Sequence, residues 1–91
     1  MLLSIMNSKQ RKTLEAIFAS PTPKTLPFSE MELLFRAIGC KAIEGDGSRV
    51  AFRLRGSRVA FHRPHPRKEA REYQVLAARD FLEELGIHPE I

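Results

Sequence analysis

The hexapeptide Gly-Ser-Arg-Val-Ala-Phe occurs twice in this chain, at residues 47–52 and again at residues 56–61. Apolar side chains alternate with polar or small ones in each copy, which is the period of a β-strand with one buried face. Two copies at this nine-residue offset suit neighbouring strands of an antiparallel meander. They do not suit a repeat array, which needs at least about three units.

Three strands and three helices are predicted from the spacing of apolar residues and from turn and capping residues. The predicted strands span residues 40–44, 49–54 and 58–62, with turns at 45–48 and 56–57. The predicted helices span residues 9–19, the segment between the N-cap Ser29 and Gly39, and residues 68–85, with Ser8 as the first N-cap. The predicted apolar face of the last helix is Tyr73, Leu76, Ala77, Phe81 and Leu85. The order α-α-β-β-β-α predicts an α+β fold, a three-stranded antiparallel sheet with helices on one face.

The length of 91 residues fits one domain, residues 1–91, with one modest core. The single cysteine, Cys40, excludes an internal disulfide and has no cysteine partners for a zinc site. A reducing cytoplasm is therefore expected, with no metal and no other cofactor. The apolar start is far too short for a signal sequence or a membrane span, so no membrane partner is expected. Residues 1–5 are expected to be an upstream extension or a floppy tail.

Basic side chains are concentrated in one part of the chain. Residues 49–71 contain eight arginines and lysines and a single acidic residue, Glu69, whereas residues 72–91 have an excess of acidic side chains. The formal net charge of the whole chain is only +4. Positive charge this concentrated points toward a polyanion, with a solvated, solubilising face as the alternative.

The strand period places four polar side chains on one face of the predicted sheet: Arg49, Arg53, Arg58 and His62. The phenylalanines of both strands point to the other face, so no aromatic stacking platform is predicted here. Neighbouring arginines are unfavourable unless solvated or neutralised by an anion, and the guanidinium fork matches phosphate oxygens. The candidate contacts for a nucleic-acid backbone, with RNA favoured, are Ser48, Arg49, Arg53, Arg58, Arg63, Arg67 and Lys68.

Two histidines, His62 and His65, lie three residues apart across a proline in this basic segment. A neutral imidazole can take a proton from a ribose 2′-hydroxyl, and an imidazolium can protonate a leaving oxygen. Nearby arginines would stabilise negative charge in the transition state. His62 and His65 are therefore the candidate catalytic residues, and a solvated polar side chain is the alternative for each.

Four features together form a larger pattern over residues 28–87. They are the helix ending in Ile38-Gly39, the run Gly-Asp-Gly-Ser-Arg-Val-Ala-Phe at 45–52, the strand 58–61 leading into His-Arg-Pro-His-Pro, and the closing run 81–87. The pattern resembles the HicA family of bacterial toxin–antitoxin systems. The resemblance implies a double-stranded-RNA-binding-like fold, an mRNA interferase (endoribonuclease) activity and a HicB antitoxin as partner. A helix within residues 8–20 would be an N-terminal addition to that domain.

One position departs from the family that the chain resembles. HicA toxins usually have their catalytic histidine directly after the Gly-Ser that opens the second strand, but Arg49 follows Gly47-Ser48 here. A guanidinium remains protonated near neutral pH and cannot serve as a general base. Either His62 or His65 supplies the imidazole instead, or the protein binds RNA without cutting it.

Three functions are compatible with the sequence. The first is a HicA-like, metal-independent ribonuclease that acts on mRNA. The second is a non-catalytic RNA-binding module of the same fold. The third is an interaction protein whose basic face docks an acidic antitoxin. A toxin can combine the first and the third, with the antitoxin covering the RNA face.

Overall fold

The computed structural model describes residues 5–89, so most of the predicted N-terminal extension lies outside the described residues. The elements in chain order are α1 (Ser8–Ile17), α2 (Phe28–Ala37), β1 (Lys41–Glu44), β2 (Arg49–Leu54), β3 (Ser57–His62) and α3 (Glu72–Glu84). The strands form one antiparallel sheet in the order β1-β2-β3. The predicted α+β fold and the order α-α-β-β-β-α are confirmed. Within residues 5–89, no helix has the length and apolar character that a membrane crossing requires.

The core lies between one face of the sheet and the helices, and phenylalanine rings from four elements meet there. The ring of Phe35 on α2 lies 4.9 Å from that of Phe52 on β2 and 5.5 Å from that of Phe81 on α3. Phe61 on β3 contacts Phe28 at the start of α2, with ring centroids 5.3 Å apart. The inward direction predicted for Phe52 and Phe61 is therefore confirmed, and both are buried.

Helix α1 packs on the two other helices and adds Leu14 and Ile17 to the core. Its C-terminal carbonyls are satisfied by Arg79 of α3, whose Nε donates to the carbonyl of Ile17 at 2.9 Å and whose Nη2 donates to that of Ala19 at 3.0 Å. A cation at a helix C-terminus also interacts favourably with the negative end of the helix dipole. The N-terminal addition is thus tied to α3 by side-chain hydrogen bonds as well as by apolar contact.

Two predicted helix starts are wrong because backbone pairing outside the helices fixes the ends. The prediction of Ser29 as a cap fails because α2 begins at Phe28, whose N–H donates to the carbonyl of Lys68 at 2.9 Å. The N–H of Ala70 donates in turn to the carbonyl of Leu26 at 2.8 Å. The segment around Lys68 is therefore extended, and α3 starts at Glu72 instead of Lys68.

The other predicted ends differ from the structure by a residue or two. The N-cap of α1 is Asn7 instead of Ser8, and it forms a capping box with Gln10. The β2–β3 turn is Arg55-Gly56 instead of Gly56-Ser57, with φ of 48° and 86°. Positive φ at both central positions matches the right-handed twist of a two-residue hairpin.

The predicted apolar face of α3 is wrong in part. Tyr73 is 65% exposed and Leu76 is 38% exposed, and the buried side chains are instead Gln74, Val75, Ala78, Phe81 and Leu82. A glutamine can occupy the buried face because both polar atoms of its amide are hydrogen-bonded. Gln74 Nε2 donates to the carbonyl of His62 at 2.8 Å, and its Oε1 accepts from the N–H of Arg71 at 3.0 Å.

Two neighbouring leucines of α2 test this account of the core. Leu34 is 0% exposed and Leu33 is 49% exposed, so the same change removes buried contacts at one site only. We expect Leu34→Ala to lower the free energy of unfolding by about 2–5 kcal/mol and Leu33→Ala to change it by less than about 0.5 kcal/mol. Urea denaturation followed by circular dichroism measures both values. Equal losses for the two variants would contradict the packing described.

Candidate nucleic-acid interface

Cross-strand pairing brings four predicted residues to the outer face of the sheet, the face away from the helices. Arg49 pairs with His62, and Arg53 pairs with Arg58. Direct partners in a sheet project to the same side, and residues four apart on one strand share that side. The predicted adjacency of Arg53 and Arg58 is therefore confirmed. Lys41 of β1 pairs with Arg53 from the other side and extends the row of cations.

A row of small or apolar side chains separates the row of Lys41, Arg53 and Arg58 from the pair of Arg49 and His62. Ile43, Ala51 and Ala60 are cross-strand partners, and they lie between the row of Arg53 and the row of Arg49. A shallow depression lies over this middle row. The two outer rows are about 13 Å apart, since each strand residue advances the chain by about 3.3 Å. The outer face is thus a cationic surface with a low apolar centre.

The cations of the outer face have no acidic partners in the described part of the chain. No ion pair involves Lys41, Arg49, Arg53 or Arg58 within residues 5–89, and all four residues are exposed. The one acidic strand residue, Glu44, borders the depression, but its carboxylate is bound by Arg63. Like charges placed side by side repel each other, and an anion or water must offset that repulsion. The arrangement is chemically suited to bind a polyanion.

Arg63 differs from the other candidate contacts because two carboxylates already bind its guanidinium. Its Nε and Nη2 donate to Glu32 of α2 at 2.7 and 3.1 Å, and its Nη1 and Nη2 donate to Glu44 of β1, both at 2.8 Å. Hydrogen bonding to Glu44, then to Glu32, raises the pKa of Arg63 above its ordinary value. The same hydrogen bonds with Arg63 lower the pKa of Glu44. Arg63 therefore joins the end of β3 to α2 and β1.

The two candidate catalytic histidines lie in different surroundings. His62 is exposed at the end of β3, directly across from Arg49, and Gln74 of α3 fixes its carbonyl. His65 is exposed in the following loop and is outside the groove that contains His62. Neither imidazole donates or accepts a hydrogen bond among residues 5–89. Of the two histidines, His62 is the one that is a direct cross-strand partner of an outer-face arginine.

The remaining predicted contacts lie around the edge of the sheet. Ser48 is exposed in the turn before β2, and its carbonyl accepts the N–H of Arg63 at 2.9 Å. Arg67 lines a shallow cleft with Lys24 and Arg71, and its Nε lies 3.7 Å from a carboxylate oxygen of Glu69. Lys68 is exposed in the same segment. The cleft of Lys24, Arg67 and Arg71, whose lining also includes Glu72, is separate from the outer face, whereas Ser48 directly precedes Arg49.

Sequence reasoning missed two residues of this region, Lys41 and Tyr73. Lys41 could have been found by continuing the alternation of β2 into its neighbour β1, once their pairing was known. Tyr73 was assigned to the core, but it lines a groove with Arg49, Ala60 and His62 at the edge of β3. The signal for its true position was the regular apolar spacing of Val75, Ala78 and Leu82, which leaves residue 73 outside the buried face.

Cys40 is buried, which does not favour a nucleophilic role. Burial raises the pKa of the Cys40 thiol to about 11, so the thiolate that a nucleophile requires is scarce near neutral pH. Among residues 5–89, no three His, Cys, Asp or Glu side chains are grouped as metal ligands.

The fold and the outer face define a small α+β protein with an open, cationic antiparallel sheet. Residues 28–87 match the family model described as HicA toxin of bacterial toxin-antitoxin systems. The match covers well over half of the chain, and the chain belongs to the HicA toxin family. Searches of curated proteins and of solved structures returned no significant match. Membership makes an antitoxin the kind of protein partner to expect, and α1 lies outside the matched segment.

The ion pair between Arg63 and Glu44 is expected to make stability depend on pH. Because the pKa of Glu44 is lowered in the folded protein, its charge stabilises the fold above the ordinary value of 4.5. That contribution is lost as the pH falls through the folded-state pKa. The loss of stability caused by Glu44→Gln should therefore be larger at about pH 7 than at about pH 3.

Denaturant unfolding at both pH values measures this difference. Asp46→Asn is the matched control, since Asp46 lies in the adjacent turn and forms no ion pair within residues 5–89. Its effect on stability should be small. An effect of Glu44→Gln that is the same at both pH values would contradict the assigned ion pair.

Proposed function

We propose that this chain is a toxin that binds mRNA on the outer face of its sheet and cleaves it as a metal-independent ribonuclease in the cytoplasm. The observation that supports this most is the row of Lys41, Arg53 and Arg58, which have no acidic partner in the described part of the chain. This cationic row belongs to a chain of the HicA toxin family. Arginine and lysine on an open surface are the groups that bind phosphate backbones.

His62 and Arg49 are the proposed centre of cleavage because they are direct cross-strand partners. Neutral His62 would take the proton of a ribose 2′-hydroxyl, whose oxygen then attacks the adjacent phosphorus. The bond to the 5′-oxygen breaks, and that oxygen leaves with a proton from an imidazolium or from water. Arg49 would stabilise the additional negative charge on the phosphoryl oxygens. The products are a 2′,3′-cyclic phosphate and a 5′-hydroxyl.

The second candidate is RNA binding without cleavage, and Arg49 is the observation that favours it. By the resemblance in the sequence, Arg49 would occupy the usual position of the catalytic histidine, and an arginine cannot act as a base near neutral pH. His65 remains a second candidate imidazole, supplied from the loop after β3. For either activity, we propose that a HicB-like antitoxin with acidic side chains covers the outer face and excludes RNA.

Expression of four forms of the protein separates these functions. Wild type and the His62→Ala, His65→Ala and Arg49→Ala variants are induced, and growth and RNA integrity are recorded. We expect wild type to arrest growth, His62→Ala to leave RNA intact, and Arg49→Ala to lower cleavage by roughly 10²–10³-fold, as loss of an electrostatic contact to the transition state does. His65→Ala should cleave like wild type.

Purified wild type should also cleave RNA in EDTA and leave 2′,3′-cyclic phosphate ends. If RNA stays intact at several pH values, the ribonuclease is refuted and the binding module remains. Loss of cleavage in His65→Ala with full cleavage in His62→Ala would identify His65, in the loop after β3, as the general base.

The salt dependence of RNA affinity tests the outer face directly. Each neutralised phosphate releases counterions, so removing one contact should reduce the slope of log K against log salt by about 0.7–0.9. We expect Arg53→Ala to show this reduction with a fluorescently labelled RNA. Lys12→Ala, on the exposed side of α1, is the control and should leave the slope unchanged. Binding that does not respond to salt would contradict backbone recognition.

A further inference from the structure

The groove at the edge of β3 combines an apolar floor with a polar and aromatic rim. Ala60, Phe61 and Ala77 form the floor, and Arg49, His62 and Tyr73 complete the lining. The groove adjoins the outer face, because Arg49, Ala60 and His62 belong to both. The apolar floor and the ring of Tyr73 cannot form ion pairs with phosphate, so they suit a different part of a ligand.

Tyr73 is held beside this groove while its ring remains in solvent. The next residue, Gln74, is fully buried and hydrogen-bonds the carbonyl of His62, which fixes the start of α3 against the end of β3. Tyr73 itself is 65% exposed, and its hydroxyl has no hydrogen-bond partner among residues 5–89. The two groups that a tyrosine offers, the flat ring and the hydroxyl, are therefore both available to a ligand in the groove.

We propose that this groove is a nucleobase subsite, in which the ring of Tyr73 stacks on one unpaired base of the RNA while Arg49 contacts the adjoining phosphate. A base has a flat apolar face and a polar edge, which match the ring and the floor on one side and the rim on the other. Stacking of a base on an aromatic side chain is tolerant of sequence. This inference rests on the proposed RNA binding and narrows its substrate to unpaired nucleotides.

The subsite gives a reason for a preference between RNA forms. A base within a duplex has both of its faces covered by neighbouring bases, so it cannot also stack on Tyr73 without leaving the helix. Duplex RNA can still contact the cations of the outer face through its phosphates. Unpaired RNA should therefore bind with an additional stacking contribution that duplex RNA of equal charge lacks.

The composition of the chain provides a direct probe of this contact. Tyr73 is the sole tyrosine and there is no tryptophan, so tyrosine fluorescence reports this ring alone. Wild type is titrated with a single-stranded oligouridylate, an RNA duplex and inorganic polyphosphate, with correction for absorbance. We expect the oligouridylate to quench the fluorescence and the other two to bind with little quenching. Oligouridylate binding that leaves the fluorescence unchanged would overturn the subsite.

Variants of two exposed residues of α3 supply the affinity test. Tyr73→Ala should weaken oligouridylate binding roughly five- to hundredfold, the loss typical of one base stack, and should leave polyphosphate affinity unchanged. Tyr73→Phe keeps the ring and should retain the wild-type affinity within about twofold. Leu76→Ala is the matched control, because it removes an exposed apolar side chain from the same helix outside the groove.

The outcomes distinguish the subsite from the broader proposal. If wild type binds neither RNA nor polyphosphate, both the RNA-binding function and the subsite fail. If RNA binds with salt-dependent affinity and Tyr73→Ala matches wild type, the function stands and the subsite fails. In that second case, a loss of antitoxin binding by Tyr73→Ala would assign the ring to a protein contact instead.

Discussion

The packing of Phe35 against the sheet is the contact on which the rest of the molecule depends. Its ring lies 4.9 Å from that of Phe52 on β2 and 6.2 Å from that of Phe61 on β3, so one helix residue contacts both strands of the hairpin. Burying these two rings places their strand neighbours on the opposite face, because side chains alternate along a strand. The cationic outer face is therefore a consequence of the apolar core, and Arg53 cannot turn inward without moving Phe52 outward.

This alternation is the reason that the outer face could be predicted from the sequence. The predicted turn was misplaced by one residue, which shifts the pairing of β2 with β3 by two positions. A shift of two leaves every side chain on its own face, so Arg49, Arg53, Arg58 and His62 were assigned to the correct side. The shift only changes which residue is directly opposite which. A local sequence pattern therefore predicts the sheet face of a side chain more reliably than it predicts the residue directly opposite on the next strand.

Features that depend on distant contacts could not be predicted in this way. The start of α3 is delayed because Lys68 and Ala70 pair with the backbone around Leu26 and Phe28, some forty residues earlier. The rotation of α3 depends on Gln74, which is buried only because the carbonyl of His62 is available to it. Both facts belong to the tertiary structure, and hydropathy spacing contains neither. The position of Tyr73, and with it the groove, follows from that rotation.

Counting charges also could not separate the arginines that stabilise the fold from those that are free to bind. Arg63 bonds two glutamates, and Arg55 donates to the carbonyl of Leu85 at the end of α3 at 3.0 Å. Arg53 and Arg58 have neither kind of partner in the described part of the chain, so no direct ion pair or hydrogen bond offsets their mutual repulsion. An RNA backbone and an acidic antitoxin would relieve the same repulsion on the same face. The binding of one would then necessarily oppose the binding of the other, without any conformational change in the toxin.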